Sequence, residues 1–328
     1  MHKNILTAIT TAALALIGTT AFAQHIKTTI KFAQPTAGIA ADPLNDRIYV
    51  VAPSFGGPVD DLAVIDGKKN QVIKNIEIPE GAYLPAVNYF TGKIYIATCD
   101  SDVSPVACLV TVVDGSRKDH VSTIPITTTE GDGLLGIAVD VLANKIYVSN
   151  ASDNVIDIID GSCDKVVGKI PITGGEPVGL AVNPFLQTLY VPLNDSSVAI
   201  FDTRTKSLLS TTTFGGADSF AAVNLLTGNV YVTDAEAGPS TTAALDKDGV
   251  VEATIPVGDT PYGLDVDPVT NLVFVASTAL NNVTVIKGKT NEVKATVANV
   301  SATFVAANFF TQLVYVSGSN GVTVLTEK

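Results

Sequence analysis

Residues 179–191 read Gly-Leu-Ala-Val-Asn-Pro-Phe-Leu-Gln-Thr-Leu-Tyr-Val, a short apolar run, an Asn-Pro turn, and a second apolar run containing an aromatic. An Asn side chain at such a turn hydrogen-bonds its own backbone and proline presets φ, so two antiparallel strands joined by a tight turn are predicted. The pattern recurs along the chain. Its aromatic returns as Tyr49, Tyr95, Tyr147, Tyr190, Tyr231, Phe274 and Tyr315, at steps of 41 to 52 residues. Seven residues before each stands an Asp or Asn: Asp42, Asn88, Asp140, Asn183, Asn224, Asp267 and Asn308. A repeat of this period belongs to propellers and solenoids, and seven copies predict seven blades.

Each unit reads as four strands, in the fourth unit at 178–182, 189–191, 198–202 and 208–212, and helical periodicity is absent. Asp-Gly pairs at Asp66-Gly67, Asp114-Gly115 and Asp160-Gly161 mark turns between third and fourth strands. The last unit stops after its third strand, and residues 25–32 are positioned to supply the fourth. Such closure removes two exposed sheet edges. The expected fold is therefore all-β, a seven-bladed β-propeller of four-stranded blades, with residues 24–328 as one domain and the last blade closed by the N-terminal strand.

The blocks Ile146-Tyr147-Val148-Ser149-Asn150, Tyr231-Val232-Thr233-Asp234, Gly179-Leu180-Ala181-Val182-Asn183-Pro184 and Val283-Thr284-Val285-Ile286 resemble the YVTN β-propeller repeat family over residues 35–328. Phe274 in place of Tyr and a long second unit depart from its pattern. The resemblance implies a bacterial envelope or surface protein, and related propellers include lactone hydrolases. A shared fold leaves the activity open.

The N-terminus has Lys3, an apolar run from Ile5 to Ile17, and Ala21-Phe22-Ala23 before Gln24. This is the three-part pattern of a signal peptide over residues 1–23, and it places the mature protein in the periplasm or outside the cell. No second apolar stretch is long enough to span a bilayer. A formal charge of −12 excludes nucleic acid as a natural partner. Of three cysteines, Cys99 and Cys108 flank a hairpin loop and are the expected disulfide in an oxidising compartment. Cys163, in a Gly-Ser-Cys-Asp turn with no histidine near it in sequence, reads as a turn residue. A monomer is expected.

Candidate sites follow from sorting charges by face. The inter-blade connections carry Glu80, Glu130, Asp132, Glu176, Asp218 and Asp259, and the loops between second and third strands add eight more carboxylates, with no Lys or Arg. All three arginines and ten lysines fall on the opposite face. A negative mouth of this kind would recruit a cationic or metal-containing ligand; loops that simply keep an apolar ring soluble explain it equally. Two residues before each Asx lie six alanines and Asp265, a carboxylate among small apolar groups. It is either a ligand contact or a group hydrated by channel water. Phe220 and Phe304 stand where other units have Gly, and Tyr83 and Tyr262 lie one position earlier. These four could line an apolar pocket, or pack between blades.

Catalytic signatures are mostly negative. Beyond the leader only His25 and His120 remain, and no P-loop, HExxH, CxxCH or GxSxG string occurs. No cofactor is expected; Asp100-Ser101-Asp102 and Asn194-Asp195 resemble only fragments of calcium loops. The expected function is a non-enzymatic binding or scaffold propeller that recognises a protein or small ligand through its acidic mouth. The alternative is a metal-dependent, lactonase-like hydrolase at the same mouth.

Overall fold

The computed structural model describes residues 25–54, 57, 59–100, 107–128, 133–214, 220–234 and 240–327. The expected leader at 1–23 lies outside these residues. Among the described residues twenty-eight strands form seven four-stranded antiparallel sheets. Blades 1 to 6 cover residues 39–79, 82–126, 134–171, 181–213, 221–256 and 261–298. Blade 7 takes three strands from residues 304–326, and Ile26–Ile30 completes it by pairing with Gly321–Thr326. The only helical element among the described residues is a 3-10 turn, Gly115–Arg117, at one of the expected Asp-Gly turns.

Register explains the repeat. In every blade the residue two before the Asx pairs directly with the aromatic of the second strand, as in Ala40↔Tyr49, Ala181↔Tyr190 and Asp265↔Phe274. The aromatic ring is buried, and in four blades the tyrosine hydroxyl bonds the turn between third and fourth strands of the next blade. Tyr95 donates to Asp164 Oδ1 at 3.2 Å, Tyr190 to the Lys247 carbonyl at 3.2 Å, Tyr231 to that of Gly288 at 3.3 Å, and Tyr315 to that of Gly67 at 3.4 Å. A buried hydroxyl must find an acceptor, so this bond fixes the angle between blades. Burial pushes the phenols of Tyr49, Tyr147, Tyr190 and Tyr231 up to about 12.

The Asx residues form a second set of ties. Their Oδ1 atoms cap their own turns, as Asn183 does for the N–H groups of Phe185 and Leu186. In three blades the Asn amide also crosses to the next: Asn88 donates to Asn144 Oδ1, Asn224 to Asn271 Oδ1, and Asn308 to Asp46 Oδ1, at 2.8 to 3.0 Å. Those acceptors sit at left-handed turn positions, with φ of 50° to 53°, which Asn and Asp tolerate better than other side chains.

Candidate functional site

Tyr83 and Tyr262 are the second residues of Ala82–Asn88 and Pro261–Asp267, Phe304 opens Phe304–Asn308, and Phe220 immediately precedes Ala221–Val223. All four therefore stand where a first strand leaves the inter-blade connection, at the acidic face. The structure brings them together. Phe304 makes ring contacts with Tyr83, Phe220 and Tyr262 at centroid distances of 5.6, 5.5 and 5.2 Å, and Phe220 lies 4.8 Å from Tyr262. The hydroxyls of Tyr83 and Tyr262 share a hydrogen bond of 2.5 Å.

Tyr83 belongs to blade 2 and Tyr262 to blade 6, which are not neighbours in the ring, and Phe220 of blade 5 reaches past blade 6 to Phe304. Contacts between such blades can only be made across the central axis. The four rings thus form an aromatic plug that closes the channel at its acidic end. Glycine at the matching positions is a matter of space. A Cβ on Gly38 would stand 2.3 Å from the Tyr83 carbonyl oxygen, and one on Gly263 would stand 2.6 Å from Phe304 Cα. Burial, followed by the neighbouring Tyr262, raises the Tyr83 phenol far above its ordinary value.

Asp265 lies three residues further down the inner strand of blade 6, beneath the plug. Its Oδ1 accepts the N–H of Val266 and its Oδ2 that of Ala307 on blade 7, each at 2.8 Å. Both N–H groups belong to innermost strands, whose inner edge has no further strand to pair with. The carboxylate thus joins two blades by satisfying edge donors that six alanines elsewhere could not. Part of its surface faces the channel, yet protein encloses it deeply, and this desolvation pushes the carboxyl up to about 6 against the two N–H bonds that lower it.

The acidic rim is more differentiated than its composition. Asp60 is buried and structural, accepting N–H bonds from Ser54 at 2.9 Å and from Ala82 of the next blade at 3.1 Å. Asp195 fastens Gly175 and Ser197, and Asp153 faces Lys169 at 3.6 Å, a lysine that also meets Asp157. One cation therefore reaches this face from an outer strand. Burial, then Glu77 and Asp60, raises Asp61 above the usual carboxylate range. Glu176 accepts from Asn194 Nδ2 at 2.9 Å, and Asp259 from Ser240 Oγ at 3.2 Å. Asp132 and Asp218 lie outside the described residues. Among the described residues no three His, Cys, Asp or Glu side chains converge as a metal site would require.

Cys99 and Cys108 face each other across one hairpin and form the expected disulfide, with Cα atoms 4.2 Å apart. Cys163 is a free, exposed thiol.

The opposite face carries a feature that charge sorting missed. Many of its cations are matched by nearby carboxylates, within one blade in Arg47–Asp66, Lys145–Asp160 and Arg204–Asp202 and between blades 2 and 3 in Lys93–Asp164. Inside that ring of pairs, the turn joining the first two strands projects a large apolar side chain in every blade: Leu44, Phe90, Leu142, Phe185, Leu226, Val269 and Phe310, each 48% to 70% exposed. The signal was present in sequence, because each lies five residues before its blade's aromatic. A Leu or Phe beside a strand reads as core until the turn is seen to point outward.

No protein-family model matches the chain, and no curated protein sequence matches it. Among solved structures it is similar to a chain of Kuenenia stuttgartiensis hydrazine synthase, with a TM-score of 0.74 over 91% of this chain and 97% of that one, at 18% identity. At such identity the likeness is one of fold alone. No described helix is long and apolar enough to cross a membrane.

Proposed function

We propose that the protein is an exported, YVTN-type recognition propeller whose acidic mouth binds a cationic group of a protein or small ligand. The observation that carries this is the aromatic plug: four rings from four blades make a floor on the axis, and carboxylates including Glu176 and Asp259 stand on the rim above it. Aromatic faces attract cations through their quadrupoles, and carboxylates add charge and hydrogen-bond acceptors. An arginine or lysine side chain entering from a partner would meet both. The Cys99–Cys108 disulfide is compatible with an extracellular setting.

Calorimetric titration with Arg- and Lys-containing peptides, against acidic peptides of equal length, tests the reading. Basic peptides are expected to bind with an affinity that falls as salt rises. Joint replacement Glu176→Gln and Asp259→Asn should weaken binding about five- to tenfold, and Tyr262→Ala by a similar factor. Binding that ignores all three changes would overturn it. Lactonase-like hydrolysis is the competing reading. Calcium would then raise the melting temperature and a chelator reverse the rise, and such a shift without peptide binding would put the hydrolase in its place.

A further inference from the structure

We infer that the face opposite the acidic mouth is a docking surface for an anionic lipid bilayer, with the seven apolar turn tips as its contact points. Scattered exposed apolar residues are ordinary on any protein surface. Seven at one repeat offset, one per blade, are a level crown around the channel. Their placement is rigid, because the Asx beneath each tip holds the turn. Asn88 accepts the N–H of Phe90 at 3.1 Å, Asn224 that of Leu226 at 2.9 Å, and Asn308 that of Phe310 at 3.2 Å. Tyr89 and Phe309 broaden two of the tips, with rings 4.9 and 4.8 Å from Phe90 and Phe310. Side chains held outward in this way lose little freedom when they enter an apolar phase.

Charge selects the occupant. Most exposed carboxylates of this face are held in ion pairs, Asp46 and Asp246 excepted, whereas Lys68, Lys69, Lys118, Lys165, Lys206 and Lys289 make no ion pair among the described residues. The exposed side chains left unpaired behind the crown are therefore mostly lysines, although the chain as a whole is acidic, and the acidic rim lies across the ring, beyond a Debye length in physiological salt. Between blades 3 and 4 a cleft of about 540 Å³ opens beside Leu142; its walls hold Asp140 and the paired Lys145 and Arg204, and also Lys206, which makes no ion pair among the described residues and can meet a lipid phosphate. A second copy docking crown to crown would bring the free lysines against one another. One shaped protein partner would demand defined side-chain shapes, yet the tips vary among Leu, Phe and Val and keep only apolarity and level. A bilayer surface asks for those two properties and basic residues behind them.

Flotation of the mature protein with vesicles tests this independently of the peptide titration, because the two faces share no residue. The protein is expected to float with phosphatidylcholine vesicles containing a minority of phosphatidylglycerol, and less with phosphatidylcholine alone. Phe185→Ser together with Phe310→Ser should lower the bound fraction roughly tenfold. The melting temperature should hold, since both side chains are exposed. Joint change of Lys68, Lys69 and Lys206 to Gln should weaken binding to the anionic vesicles only. Failure of the unaltered protein to float, or flotation that the tip changes leave intact, overturns the proposal. A concentration-dependent dimer in light scattering that the tip changes abolish, without flotation, would assign the crown to self-association instead.

Discussion

The joint between blades 5 and 6 and the joint between blades 6 and 7 perform the same task with different chemistry. At the first, Tyr231 donates to the Gly288 carbonyl, and Asn224 bonds Asn271 at 2.8 Å. Glycine suits this turn, because a Cβ on Gly288 would fall 2.3 Å from Asn271 Oδ1 and 2.9 Å from the Tyr231 hydroxyl oxygen. At the second, blade 7 has no turn from its third to its fourth strand, since the fourth comes from the other end of the chain. Glu327 occupies the glycine's place: its N–H bonds the Gln312 carbonyl as that of Gly288 bonds Asn271. A carboxylate side chain fits there because the facing aromatic is Phe274, which lacks the hydroxyl, and because Asp267 replaces the bridging Asn. Phe274 and Glu327 depart together from the chemistry of the first joint where two distant chain segments close the ring, and Asp267, like Asp42 and Asp140, puts a carboxylate at the Asx position.

Two buried carboxyls also meet at this seam. Asp267 and Glu327 are buried, and Asp267 Oδ2 and Glu327 Oε1 have no hydrogen-bond partner unless one carboxyl is protonated and donates to the other. Thr270 donates to the remaining Glu327 oxygen at 2.7 Å. Burial first, and then the Asp267 charge against the opposing pulls of Thr270 and Lys294, pushes the Glu327 carboxyl up to about 8.

The largest expected effect breaks the regular joint. Gly288→Ala should cost about 3 kcal/mol, because Asn271 must move and release Asn224; urea unfolding measures it, and a cost under half that figure would show that the turn is not space-limited. Next, exporting the regular chemistry to the seam should fail. Phe274→Tyr is expected to cost about 2 kcal/mol by pressing a hydroxyl toward Glu327, whereas the reciprocal Tyr231→Phe should cost about 1 kcal/mol for its lost bond. Equal costs would dissolve the distinction between the joints.

The smallest effect is pH-dependent. Glu327 titrates higher in the folded chain than in the unfolded one, so the folded state binds the extra proton between those values. Stability should therefore be full below about pH 4.5 as far as this group is concerned, and fall as pH rises through about 8. Glu327→Gln should flatten that slope and stabilise the protein at pH 9 by about 1 kcal/mol. Thermal melts from pH 5 to 9 decide it, and an unchanged slope would place the shared proton elsewhere.

The blade count, the Asx turns and the closing strand were legible because each rests on local chemistry repeated seven times. Phe274 and Asp265 were legible as exceptions, but their reasons were not. Phe274 answers to Glu327, 53 positions away in sequence, and Asp265 answers to an N–H on the next blade. The aromatic plug was legible as four residues and not as one object, because its members come from blades that touch only across the axis. Asp60, one of the eight carboxylates that its position between second and third strands assigns to the rim, is a buried tie between blades 1 and 2.

By itself the sequence determined the strand periodicity, the turn chemistry, the disulfide pair and the excess of acid over base. These depend on neighbours within a few residues, where alternation, Asx capping and proline leave little choice. Only the tertiary structure decided which side chains meet on the axis, which charges are already paired, and which apolar residues remain outside. Those outcomes depend on ring closure, which places residues from distant blades in contact and turns a strand-flanking Leu or Phe outward at a turn tip.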